Sequence, residues 1–212
     1  MSKPADISVI GLTGQSGAGK TTVSKVFAEE GFAAINADKI AREIMVKGSP
    51  CLEELVECFG KQILLENGEL DRRSLAGIVF NDKEKLNQLN AISYPYITFE
   101  ILQKIKEYSK AGERFVLLDA PTLFESRADD FCDLIISVTA PEAVRTERIA
   151  ERDGIAPEKI KERFSSQHSE KFFINHSDFI IKNNKSIDNL IEKAHEVADK
   201  VKEYCNNAEE AW

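Results

Sequence analysis

The stretch from Ile7 to Thr22, ISVIGLTGQSGAGKTT, restricts what this 212-residue chain can become more than any other. An apolar run, Ile7 to Leu12, breaks into a glycine-rich turn and then into Val23-Ser24-Lys25-Val26-Phe27, which reads as helix. Inside it, Gly14-Gln15-Ser16-Gly17-Ala18-Gly19-Lys20-Thr21 satisfies G-x-x-x-x-G-K-[ST] without gap or mismatch. Glycines reach dihedrals that a Cβ forbids, so successive N–H groups can point inward around a phosphate. The following helix adds its unpaired N-terminal N–H groups and the positive end of its dipole. The pattern implies a nucleoside triphosphate site formed by Gly14, Gln15, Ser16, Gly17, Ala18, Gly19, Lys20, Thr21 and Thr22. In it Lys20 reaches the β/γ-phosphates and the Thr21 hydroxyl ligates Mg²⁺. A glycine turn that binds nothing is the competing reading, and the strand before and helix after speak against it.

The rest of the chain reads as an α/β domain with insertions. The first helix runs to about Glu30 and stops at Gly31, and Phe32 to Asn36 reads as a buried strand, giving a βαβ unit. From Asp38 to about Lys110 the pattern turns helical. Ser49-Pro50 opens one helix that Gly60 ends, Asp71 caps Arg72 to Phe80, and Asp82 caps another. Tyr94-Pro95 interrupts, and Tyr96 to Tyr108 is a further amphipathic helix. Phe115 to Asp119, Leu134 to Val138 and Phe179 to Lys182 read as strands. Thr139-Ala140-Pro141-Glu142 has capping-box spacing for a helix to about Asp153, and a second begins near Pro157 and continues past Gln167. Ser186 starts a final helix, with Asn206 to Trp212 as a frayed tail. The expected fold is a doubly wound, five-stranded parallel sheet with a helical insert and a charged helical hairpin as flaps.

A net charge of −8 argues against a general affinity for nucleic acid, and anionic substrates must be drawn by local basic clusters. Cys51, Cys58, Cys132 and Cys205 are scattered, as expected for small buried or half-buried thiols in a reducing cytoplasm. His168, His176 and His195 form no ligand pattern and are expected at the surface. Neither a leader nor a membrane-spanning run is readable, so the expectation is a soluble, cytoplasmic protein without membrane partners.

Three features bear on the reaction. Asp38 follows the second strand, at the sheet edge where ligands collect; it can accept a proton from an attacking hydroxyl, or cap the helix Lys39 to Val46. Asp119 ends an apolar strand, where it can steady Mg²⁺ or cap the Pro121 turn. Arg145, Arg148 and Arg152 share one helical face, with Arg163 on the next helix. Glu147 and Glu151 are interleaved, so a solvated salt-bridge face competes with charge neutralisation over a transferring phosphoryl group. With no N-K-x-D motif and no glycine after Asp119-Ala120-Pro121, GTPase is disfavoured and a small-molecule kinase remains.

An ordered series of segments resembles the dephospho-coenzyme A kinases. It comprises the loop, Asn36-Ala37-Asp38-x-x-Ala41-Arg42, Leu70-Asp71-Arg72-x-x-Leu75, Val79-Phe80, and Asp119-x-Pro121-x-Leu123-Phe124-Glu125. It continues with Arg148-x-x-x-Arg152-Asp153-Gly154, Arg163-x-x-x-Gln167 and Ser177-Asp178-Phe179-Ile180-Ile181-x-Asn183. The resemblance implies a P-loop kinase, NMP-kinase-like core formed by 1–40, 111–140 and 174–212, a CoA-binding domain at 41–110 and a lid at 141–173. It implies ATP and dephospho-CoA as substrates with Mg²⁺; a monomer or weak homo-oligomer is expected. Asp38 matches the general base, Lys20 and Arg148 the phosphate-stabilising residues, with Arg152 beside them. Arg42, Tyr94 and Arg163 are acceptor-side candidates, Asn183 an ATP-side one, and Thr21 with Asp119 the metal-side pair. Asn36 stands where that family has aspartate, and Tyr94 where it usually has histidine. Gln15 and Ser16 occupy free positions of the loop.

Overall fold

The computed structural model describes residues 3–4, 6–79 and 82–210. Five strands carry the sheet: β1 (Ser8–Gly14), β2 (Ala33–Asn36), β3 (Phe115–Asp119), β4 (Leu134–Thr139) and β5 (Phe179–Lys182). Their order is β2-β3-β1-β4-β5 and all run parallel. β1, in the middle, pairs Ile10 with Leu117 on one side and Leu134 on the other. Such strands are covered on both faces, which is why they read as unbroken apolar runs rather than alternating ones. Connections leave β1 toward β2 and β3, then return past it to β4. That reversal opens a crevice at the carboxyl ends of β1, β3 and β4, where ligands of open α/β sheets bind.

The helices are α1 (Lys20–Glu29), α2 (Ala37–Glu43), α3 (Pro50–Phe59), α4 (Arg72–Val79), α5 (Lys83–Lys110), α6 (Glu142–Asp153), α7 (Pro157–Ser165), α8 (Glu170–Asn175) and α9 (Ile187–Glu210). Several ends follow the expected caps. The Ser49 hydroxyl accepts from the Leu52 N–H at 3.2 Å, and Asp71 accepts from Arg73 and Ser74 at 3.0 and 3.1 Å. Phe80, the expected end of α4, lies outside the described residues.

Four expectations are corrected. Pro95 does not interrupt: α5 runs straight through it for 28 residues. The carbonyl deprived of its partner belongs to Ala91, which is exposed together with Pro95, so solvent can satisfy it. Thr139 caps nothing, because β4 extends through it to pair with Lys182 and α6 starts two residues later from Pro141. The helix expected past Gln167 is two, since the Ser169 hydroxyl accepts from the Phe172 N–H and opens α8. Asn206 belongs to α9, which continues to Glu210; Ala211 and Trp212 lie outside the described residues.

The chain divides into two compact units. One, 3–35 with 105–210, is built on the sheet; Ile10, Leu12, Val26, Phe27, Leu117, Ile136, Val138, Ile181 and Ala194 sit in its core. The other, 36–104, is helical apart from an antiparallel bridge of Leu64 to Leu70 that the helix-only reading did not anticipate. Among the described residues no helix is long and apolar enough to cross a membrane. Cys51 and Cys205 are buried and Cys132 half-buried, whereas Cys58 is exposed, against expectation.

Candidate active site

The loop after β1 is shaped by close packing. Gly14 has φ +144°, and a Cβ there would lie 2.3 Å from the Val138 carbonyl oxygen on β4. Gly19 has φ +104°, and a Cβ there would meet the Asn183 amide nitrogen at 2.6 Å. Three of the loop's own N–H groups already have protein acceptors: Ala18 donates to the Gln15 carbonyl at 3.0 Å, Gln15 to the Val138 carbonyl at 3.3 Å and Ser16 to Gln167 Oε1 at 3.2 Å. Among the described residues, the N–H groups of Gly17, Gly19, Lys20 and Thr21 meet no protein acceptor. Four open donors converging on a helix N-terminus form an anion nest.

Lys20 Nζ is ion-paired with the Asp119 carboxylate, and both side chains are largely buried. The cation of the loop and the carboxylate ending β3 therefore meet at the carboxyl edge of the sheet, beside the nest. Thr21 is exposed in the first turn of α1. Its hydroxyl and the Asp119 carboxylate are hard oxygen donors of the type Mg²⁺ takes. No group of three or more His, Cys, Asp and Glu capable of holding a metal exists among the described residues. The donor set thus fits a cation shared with phosphate oxygens rather than caged by protein, the usual mode for Mg²⁺.

The arginine row does not form the solvated ladder with Glu147 and Glu151 that its spacing allowed. Arg145 is only 5% exposed: its Nε donates to the Ala140 carbonyl at 3.0 Å, and its guanidinium lies 4.1 Å from the centre of the Phe164 ring. Burial lowers its pKa from the ordinary arginine value. Arg148 reaches inward, donating to the Gly17 carbonyl and to Asn183 Oδ1, each at 3.4 Å. Arg152 instead forks onto Asp153 at 2.6 and 2.8 Å, and Arg163 joins the same carboxylate at 3.0 Å. The two guanidinium groups, Arg152 foremost, hold Asp153 down at about 2. The row that looked uniform thus splits into an inward clamp and an exposed tip.

Asn183, expected on the ATP side, is 4% exposed and lies under the loop. Its Nδ2 donates to the Ala18 carbonyl at 2.8 Å, and its backbone N–H to that of Thr139 at 2.8 Å. Both ends of its side chain are engaged, Nδ2 by the loop and Oδ1 by Arg148. Gln167 and Arg145 were not singled out as loop partners from sequence. Contacts of this kind join positions about 130 to 150 residues apart, and no local pattern announces them.

Asp38, Arg42 and Tyr94 belong to the helical unit. Asn36, not Asp38, is the N-cap of α2, accepting from the Lys39 N–H at 2.8 Å. Asp38 stands exposed in the first turn, its carboxylate not consumed by capping. Arg42, one turn on, shares its helix face; Arg72 Nη2 donates to the Arg42 carbonyl at 3.2 Å. Tyr94 is half-buried on α5. This unit also carries an open cavity of about 680 Å³, lined in part by Ile40, Ile44, Cys51, Pro95, Tyr96 and Phe99. Burial in its wall pushes the Cys51 thiol up to about 11. A hydrogen bond to Glu54 raises the Tyr96 hydroxyl to about 12.

With this geometry in view, comparison with known proteins is direct. Residues 8–189 match the family model described as CoaE, dephospho-CoA kinase. The dephospho-CoA kinase of Fusobacterium nucleatum is 40% identical over 195 residues, covering 92% of this chain and 99% of that one. That of Carboxydothermus hydrogenoformans is 38% identical, with 92% and 94% covered. Among solved structures, the dephospho-CoA kinase from Campylobacter jejuni superposes with a TM-score of 0.62 at 27% identity, over 93% of this chain and 98% of that one. TT1252 from Thermus thermophilus gives 0.78 at 28%, with 92% and 97% covered. A shikimate kinase from Bacteroides thetaiotaomicron, 14% identical with a TM-score of 0.54, shares the fold alone. The loop, its strand-end carboxylate and its arginine clamp are thus found in a chain that belongs to the dephospho-CoA kinase family.

Proposed function

We propose that this chain transfers the γ-phosphoryl group of ATP to the ribose 3′-hydroxyl of dephospho-CoA, forming coenzyme A. The observation that carries the donor half is the nest of Gly17, Gly19, Lys20 and Thr21 N–H groups beside the Lys20–Asp119 pair. The acceptor half rests on family membership. In this reading the nest and Lys20 hold the β- and γ-phosphates, and Arg148, already against Gly17, faces the charge that develops on the transferring group. Arg152 and Arg163 join by exchanging Asp153 for substrate oxygens as the lid tip folds over and excludes water. Thr21 and Asp119 would hold Mg²⁺ together with the phosphates, the metal supplying charge neutralisation at the bridging oxygens.

Asp38 orients the 3′-hydroxyl and takes its proton; Arg42 and Tyr94 contact the acceptor. The cavity of the helical unit, mostly apolar and with Glu43 and Glu100 as the charged residues of its lining, suits the uncharged arm of such an acceptor rather than its phosphates. Residues 1–40, 111–140 and 174–212 form the nucleotide-binding core, 41–110 the acceptor domain and 141–173 the lid. The enzyme is cytoplasmic, and monomeric or weakly self-associating.

A coupled assay of ADP release tests it. ADP should appear with dephospho-CoA and not with nucleosides or other metabolite alcohols; the reverse outcome ends the proposal. Asp38→Asn should lower kcat by about 10² to 10⁴ with little change in KM for ATP. Near wild-type kcat would remove Asp38 as the base.

A further inference from the structure

Ser16 occupies a loop position that the motif leaves free, yet it is the most heavily engaged residue of the loop. The Gln167 side chain binds it twice: Oε1 accepts from the Ser16 N–H at 3.2 Å and Nε2 donates to the Ser16 hydroxyl at 3.0 Å. From the other side, Arg145 Nη1 donates to the Ser16 carbonyl at 3.5 Å. All three polar groups of one residue are therefore held by side chains from either end of the lid: Arg145 on α6, and Gln167 just beyond α7. A glutamine that only fastened α7 to the sheet unit would need one such bond, to any nearby group. This one engages both the backbone and the side chain of the residue that precedes the nest.

The consequence is directional. With its N–H turned toward Gln167, Ser16 contributes no donor to the nest, and the next open donor is Gly17. The peptide plane between Gln15 and Ser16 is set by that bond, and the adjoining turn, closed by Ala18 N–H to the Gln15 carbonyl, builds on it. We propose that Gln167 and Ser16 form a latch through which the lid sets the shape of the phosphate loop, making Gln167 a positioning residue for the triphosphate. The latch rests on the loop being the ATP site, as proposed above. It leaves the Arg152–Asp153–Arg163 tip outside the fastened part of the lid. Closure then belongs to the tip, while α6 and Gln167 stay on the loop.

The test compares Gln167→Met, similar in size but unable to make either bond, with Ser16→Ala, which loses only the hydroxyl bond. A net hydrogen bond changes an equilibrium by roughly two- to tenfold. KM for ATP should rise about tenfold in Gln167→Met and about threefold in Ser16→Ala, with KM for dephospho-CoA within twofold of wild type. The double variant should be no worse than Gln167→Met, since contacting residues are not additive. In wild type the Ser16 amide should exchange slowly with solvent, and in Gln167→Met quickly.

Unchanged KM for ATP in Gln167→Met, equal rises for both substrates, or multiplying effects in the double variant would overturn the latch. If Gln167→Met does not fold, Ser16→Ala and the wild-type exchange rate decide alone. A wild-type protein that binds no ATP overturns the loop assignment, a different result from either.

Discussion

Replacing Asn183 by alanine separates two roles for a residue that sequence placed on the ATP side and the structure places beneath the loop. The side chain is 4% exposed and donates to the carbonyl of Ala18, itself fully buried, at 2.8 Å. Alanine removes the donor and leaves that carbonyl without it in a site closed to solvent, a loss of about 1 to 3 kcal/mol. The weaker contact at 3.4 Å from Arg148 is lost as well, but Arg148 retains the Gly17 carbonyl. Taking about 2 kcal/mol, and about 2–4 °C per kcal/mol for a chain of this size, Tm should fall by about 4–8 °C. Because the freed Ala18 carbonyl adjoins the nest, KM for ATP should rise several-fold, with KM for dephospho-CoA unaffected. Differential scanning fluorimetry and initial rates with each substrate varied supply both readouts. An unchanged Tm combined with lost discrimination between ATP and GTP would refute the reasoning, and would return Asn183 to contact with the base.

Gly14→Ala should abolish soluble expression or cut Tm sharply, since no side chain at φ +144° can relieve a 2.3 Å approach to a backbone oxygen of the sheet; a well-folded variant seen by circular dichroism would contradict this. Lys20→Ala should reduce turnover by about 10² or more, as loss of a preorganised charge at the phosphates does, and undiminished ADP release would contradict the loop assignment. Glu30 accepts from both Lys202 and His195 at 2.7 Å, and these bonds, Lys202 foremost, depress its pKa below 4.5. A depressed carboxylate contributes stability above its unfolded pKa and loses it as pH falls through the folded value. The Tm gap between wild type and Glu30→Gln should therefore be full at pH 6 and shrink below pH 4.5, and a gap that widens on acidification would refute the pairing.

Much of this protein is legible locally. A phosphate loop between strand and helix needs only its glycines, lysine and threonine. Ser49-Pro50 and Asp71 act on donors within four residues of themselves, and the parallel strands show as short apolar runs because both faces are covered. These signals are short-range, so the chain carries them openly.

What only the tertiary structure decided is which acceptor, or solvent, each of these groups meets. Arg145, Arg148 and Arg152 are alike in spacing, and their fates diverge because Ala140, Gly17 and Asp153 present different acceptors to each. Pro95 is tolerated because the carbonyl it strands sits on an exposed face. Asn36 takes the cap of α2 and frees Asp38, a matter of one helical register. Ser16 sits where the motif places no demand, and Gln167 reaches it from 151 residues away. Such partners are set by how the sheet brings β1, β4 and the lid together, and a hydrogen bond across that distance leaves no periodicity to read.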